Sequence, residues 1–101
     1  LAVSEKECDR GVLLCGTGLG MSLAANKVPG AYAAVCSDMY SVERSILSNN
    51  ANILTIGAFT TGVEVAKQLV KRWLELEYVH GGRSEAKIQR IYEIEKKYQK
   101  V

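Results

Sequence analysis

Three short apolar runs alternate with stretches of helical spacing, and that alternation predicts an α/β fold with a parallel sheet. Two further observations support it. The runs are continuously apolar, as expected for strands covered on both faces. Glycines and small polar residues gather just after each run, where an open α/β sheet places its ligand site. Three strands make a narrow sheet. The chain therefore reads as one domain over residues 1–101, part of a larger doubly wound fold whose first βα units are missing.

Each element has a local reason. Residues 1–9 read as the end of a helix, and Arg10-Gly11 as the break into a first strand at residues 12–15. Residues 20–27 read as a helix that stops at Val28-Pro29-Gly30. A second strand occupies residues 32–36. Asp38 reads as the N-cap of a helix from Met39 to Leu47, with Val42, Ile46 and Leu47 on one side. Asn49-Asn50-Ala51-Asn52 is a turn, and Ile53 to Gly57 a third strand. Thr60 or Thr61 caps the next helix, where Val63, Ala66, Leu69, Val70 and Trp73 recur at helical spacing. Gly81-Gly82 breaks the chain before a last helix at about 84–98, with Ile88, Ile91, Tyr92 and Glu95 along one flank.

Composition narrows the function. Hydrophobic residues make up 48% and charged residues 24%, an ordinary globular balance. A net charge of +2 leaves no strong footprint for nucleic acid. No apolar run approaches the roughly 18–20 residues that span a bilayer. The first residues lack a secretory pattern and do not begin with Met, so the chain reads as a fragment. Cys8, Cys15 and Cys36 are odd in number and match no zinc spacing, and a reduced, cytoplasmic protein is the simple reading. Cys36 reads as a buried strand residue and Cys8 as incidental.

The chemistry concentrates in Cys15-Gly16-Thr17-Gly18-Leu19-Gly20. A strand, a Gly-rich turn and a helix N-terminus make an anion site. The glycine spacing is not that of a dinucleotide fingerprint, and the Gly-Lys-Ser/Thr of a P-loop is absent. Backbone N–H groups of this loop suit a substrate oxyanion, with the Thr17 hydroxyl as a further donor. Cys15 at the lip is either an inert thiol at a strand end or a reactive one. His80, the one histidine, reads as a surface residue beside Gly81-Gly82, so a cysteine-protease reading is poor. Asp38 reads as a cap before a site acid, and Asn49 as part of a turn. Arg83 either binds a phosphate or is solvated.

These residues resemble the ribose-5-phosphate isomerase B family, which also includes the galactose-6-phosphate isomerase subunits. The matching stretches are the run from Val12 to Ser22, Ala24-Ala25-Asn26-Lys27-Val28-Pro29-Gly30, Tyr40-Ser41, Asn49 with Ala51-Asn52, Gly57 with Gly62, and Tyr78 followed by Gly81-Gly82-Arg83. The resemblance implies a three-layer, Rossmann-like α/β/α fold, of which residues 1–101 are the C-terminal two-thirds, and an aldose–ketose isomerase of pentose phosphate metabolism that needs no metal and no cofactor. Ribose 5-phosphate is the expected substrate, and a hexose 6-phosphate an alternative. It implies that Cys15 moves a proton between C1 and C2 through a cis-enediolate. Gly16, Gly18 and Gly20, with Thr17, would steady the enediolate oxygens. Ser22 and Asn49 would contact substrate, and Arg83 would bind phosphate. It further implies a homodimer or dimer of dimers with the site at the subunit boundary, and no nucleic-acid or membrane partner.

The family pattern usually begins with a strand ending in an Asp-His pair that touches substrate, a region this chain does not include, and within the chain the pattern is departed from at four places. Ser48 stands where relatives carry a ring-opening His, Phe59 where they carry an Arg, Ser84 where they carry a His and Lys87 where they carry an Arg. Exchanging a bidentate Arg for Phe is a large change at an anion site. These departures motivate the alternative of a non-catalytic, sugar-phosphate-binding subunit.

Overall fold

The computed structural model describes residues 1–99. Its elements run β1 (Gly11–Cys15), α1 (Leu19–Ala25), β2 (Ala33–Val35), α2 (Met39–Leu47), β3 (Ile53–Gly57), α3 (Val63–Glu75) and α4 (Glu85–Tyr98). The three strands are parallel in the order β1-β3-β2, with Cys15 level with Gly57 and Val35 level with Thr55. Each crossover carries a helix, as a parallel pair requires.

Helices cover the sheet from two sides, giving a three-layer, doubly wound architecture. Short α1 packs on all three strands. On the other side α2 and α3 pack together over β3, around Val42, Ile46, Leu54, Ile56, Leu69 and fully buried Trp73. Strand β3 is buried along its whole length, which suits its central place and its unbroken apolar sequence. Helix α4 sends in Ile88 and anchors through Glu95, which accepts hydrogen bonds from the Tyr32 hydroxyl at 2.6 Å and the Gly30 N–H at 3.0 Å.

Several expectations are corrected. Residues 1–9 are turns and bends, not a helix: the amide of Glu5 reaches Leu1, but Lys6 takes φ 63° and ends the winding. Strand β1 is not covered on both faces. Its inner residue Leu13 lies under α1, whereas Val12 and Leu14 line an open apolar groove beside α3, and Leu14 is 65% exposed. The cause is strand order, because α2 and α3 cover β3 and leave the edge strand bare. Helix α3 starts after Gly62, not after Thr60 or Thr61. The Thr60 hydroxyl instead donates to the Gly57 carbonyl at 3.3 Å, inside the preceding turn. The first and second helices and strands otherwise differ from expectation only at their ends.

Polar side chains tie the connections. Asn26 exchanges two hydrogen bonds with Ala33, at 2.8 and 3.0 Å, so the end of α1 is clamped to the start of β2. Asn52 accepts from the Tyr32 N–H at 2.8 Å and donates to the Gly30 carbonyl at 2.9 Å. Arg10 reaches across the chain to the carbonyls of Trp73 and Leu76 at 2.7 and 2.5 Å, closing the C-terminal end of α3, and lies 5.2 Å from the Trp73 ring. No helix among the described residues is long and apolar enough to cross a membrane.

Candidate active site

The Cys15 loop sits at the carboxyl end of β1, the position that the fold reserves for a ligand. The chain turns sharply there because Gly18 adopts φ 82°, a conformation that L side chains rarely take. A Cβ on Gly18 would lie 2.9 Å from Val35 Cγ2. Gly57 is closed to side chains for a different reason: a Cβ there would lie 2.6 Å from Thr17 Cα. The end of β3 and the loop thus touch backbone to backbone. The bonds Ala58 N–H to the Cys15 carbonyl (2.6 Å) and Phe59 N–H to the Gly16 carbonyl (2.9 Å) complete the join.

Within this frame the Gly18 N–H donates to Cys15 Sγ at 3.0 Å and holds the sulfur at the lip. The Gly18 amide is therefore engaged with sulfur. The amides of Leu19, Gly20 and Met21 open α1 and have no partner one turn back. Leu19 N–H points at Thr17 Oγ1, 3.3 Å away, which leaves the Thr17 hydroxyl proton to donate. Ser22 lies inside α1, buried, with its own amide on the Gly18 carbonyl at 3.2 Å. The Phe59 ring, 89% exposed, stands over Gly16.

The remaining predicted residues lie elsewhere. Asn49 follows α2 and donates to the Arg44 carbonyl at 2.9 Å. With Arg83 it lines a cleft of about 790 Å³ that also takes in Arg44, Ser48, Ser84 and Lys87. That cleft runs along α2 from Tyr40 to Asn49 and takes in no residue of the Cys15 loop, which is level with the carboxyl end of β3. Arg44 was not singled out by sequence. Its Nη1 donates to Ser48 Oγ at 2.9 Å, one helical turn on, and the i, i+4 spacing was the available signal.

The other candidates resolve into structure. Asp38 caps α2: its carboxylate accepts from the Ser41 N–H at 2.7 Å and the Ser41 hydroxyl at 2.9 Å, which hold it below the usual carboxylate range. Cys36 is buried, and burial pushes its thiol up to about 11. His80 is exposed and pairs with Glu85 Oε1 at 3.1 Å.

A family model described as ribose/galactose isomerase matches residues 1–91. The chain belongs to the ribose/galactose isomerase family. It is 51% identical over 89 residues to the D-erythrulose-4-phosphate isomerase 2 of Mycolicibacterium smegmatis, covering 88% of this chain and 59% of the relative. It is 44% identical over 97 residues to the ribose-5-phosphate isomerase B of Escherichia coli, covering 96% and 64%. The ribose-5-phosphate isomerase B structure from Clostridium thermocellum superposes with a TM-score of 0.91 at 50% identity, over 97% of this chain and 66% of that one. The chain thus spans less than two-thirds of the length of the curated ribose/galactose isomerases named here.

Proposed function

We propose that the chain carries the proton-transfer half of an aldose–ketose isomerase acting on a small sugar phosphate, with Cys15 as the base. The observation that carries this reading is the sulfur fixed 3.0 Å from the Gly18 amide, beside the open first turn of α1. The thiolate takes the proton from C2 of the open-chain aldose. The C–H electron pair becomes the C1=C2 bond, and the carbonyl pair moves onto O1. Sulfur then returns the proton to C1 while the O2 hydroxyl proton passes to O1, which gives the ketose. Charge on the enediolate oxygens is met by the Thr17 hydroxyl and by the Gly16 and Gly20 amides, donors that need no rearrangement during the reaction.

The cationic cleft of Asn49 and Arg83 is lined by α2 and by residues 78–87, and by no residue of the Cys15 loop. A second copy of the chain brings such a cleft to the Cys15 loop, so that the site forms in a homodimer. Leu19, Leu23, Tyr40 and Phe59 are exposed apolar side chains that such a contact would cover. The relatives are named for D-erythrulose 4-phosphate and ribose 5-phosphate, so both four- and five-carbon phosphates belong in the test. The three unpaired thiols fit a reducing cytoplasm.

Proton NMR in D2O with a panel of aldose phosphates tests the reading. Deuterium enters at C2 with at least one sugar, and Cys15→Ala abolishes that entry while the chain stays folded. Retained exchange in the variant removes Cys15 from the chemistry. The second reading, a binding subunit without turnover, is favoured by Ser48 and Phe59 and by 38% identity to a galactose-6-phosphate isomerase subunit of Clostridium acetobutylicum. Turnover by the purified protein alone ends it.

A further inference from the structure

The turn that carries Arg83 is closed by one carboxylate. Arg83 and Ser84 line the cleft, and Lys87 joins them from the first turn of α4. Glu85 ties this stretch to itself. Its Oε1 accepts from the Gly81 N–H at 3.1 Å and faces His80 Nδ1 at 3.1 Å. Its Oε2 accepts from Gln89 Nε2 at 3.0 Å, one helical turn on. Its own N–H donates to the Gly82 carbonyl at 3.1 Å. Two bonds from one residue thus bracket Gly82-Arg83-Ser84. Gly81 takes φ 87°, and two adjacent glycines are the most permissive backbone a chain can have. Without the bracket, Arg83 would ride on a loose turn.

His80 joins the bracket to the cleft wall. Its ring packs edge-on against Tyr78, centroids 4.9 Å apart and planes at 86°, and Tyr78 lines the cleft. Burial, and after it the Glu85 carboxylate, push the Tyr78 phenol up, which marks that carboxylate as a neighbour of the wall. Neither Glu85 nor His80 belongs to the lining. Glu85 gives both oxygens to Gly81, His80 and Gln89, and none to Arg83 two residues away. The guanidinium is left to the cleft, and a cation held in place binds a phosphate at a smaller entropic cost. We propose that Glu85 is a positioning residue, supported by His80, which fixes the Gly81–Ser84 turn so that Arg83 meets the phosphate of the substrate. The proposal rests on the reading of this cleft as the phosphate-binding half of the site. It goes beyond that reading in naming residues that touch no substrate yet set its affinity.

Charge and positioning predict opposite signs here. Removing a carboxylate beside a cationic cleft tightens anion binding through charge alone, whereas loosening the turn weakens it. The probe is inorganic phosphate, titrated into the purified full chain and its variants by calorimetry, with the fold checked by circular dichroism. Glu85→Ala is expected to raise Kd by about 10-fold or more, the scale of a lost charge-assisted bond. Glu85→Gln keeps an acceptor oxygen for Gly81 and is expected to stay within about 3-fold of the unmodified chain. His80→Ala is expected to raise Kd by about 3-fold, and it decides the sign should Glu85→Ala fail to fold. Arg10→Ala, outside the lining, is expected to leave Kd unchanged. Phosphate bound as tightly or more tightly by the alanine variants overturns the proposal and leaves the cleft reading standing. Equal weakening in Arg10→Ala marks a general loosening and overturns it too. No phosphate binding by the unmodified chain overturns both the cleft reading and the proposal.

Discussion

At the residue scale, the two halves of the proposed chemistry differ in kind. The Cys15 half is backbone-built: Gly18 supplies an amide to sulfur, and its φ of 82° exists because glycine alone adopts it without strain. The cleft half is side-chain-built, and single substitutions change its repertoire. Ser48→His places an imidazole in the cleft. It is expected to raise kcat/KM for ribose 5-phosphate by about 10-fold or more, measured against the unmodified chain under the same conditions. Arg83→Ala removes one of three cations and is expected to raise KM for a sugar phosphate more than it lowers kcat, as loss of a ground-state phosphate contact does. Steady-state kinetics on both variants check this.

At the element scale, the helices are held by termini as much as by faces. Arg10 closes the C-terminal end of α3 through two carbonyls. Arg10→Ala should lower stability by about 2 kcal/mol in urea denaturation, since buried carbonyls lose a charged donor. Glu85 opens α4, accepting from the Gln89 side chain at 3.0 Å and from the Gly81 N–H at 3.1 Å. These bonds, with Gln89 the larger cause, hold its carboxyl at about 2 against an ordinary 4.5. The folded state thus favours the ionised form. Its stabilising contribution is complete above about pH 4.5 and is lost as pH falls toward 2. Melting curves from pH 6 to 2.5 should therefore fall more steeply for the native chain than for Glu85→Gln. Most of these elements were legible in sequence because their signals are local: Asp38 before Met39, Pro29-Gly30 after α1, and the Leu69–Trp73 spacing in α3. The segment 1–9 misled because its composition suits a helix, whereas Lys6 takes a left-handed φ of 63° that no spacing of apolar residues signals.

At the scale of the whole molecule, the separation of the Cys15 loop from the Asn49 cleft is the decisive fact. Residues of both regions were picked out in sequence, yet only the packing of helices on the sheet gathers Asn49 and Arg83 into a cleft that no residue of the Cys15 loop lines. If two copies complete each site, Cys15→Ala and Arg83→Ala chains should rescue one another. Each mixed dimer carries one intact site and one doubly altered site, so random mixing restores about a quarter of native activity. Each variant alone stays impaired. No recovery on mixing, with subunit exchange demonstrated by mass spectrometry, would sink the shared-site proposal.

Sequence alone determined the alternation of strands and helices, the Gly-rich loop after Cys15, the Asp38 cap and the family resemblance, because each is written in neighbouring residues and short-range sterics. Tertiary structure decided the rest. It placed β3 between the other strands, left Leu14 open beside α3, set Arg10 against α3, and gathered Arg44, Arg83 and Lys87 into one cleft away from the sulfur. Those relations join residues far apart in the chain, and only the packing of helices on the sheet brings them together.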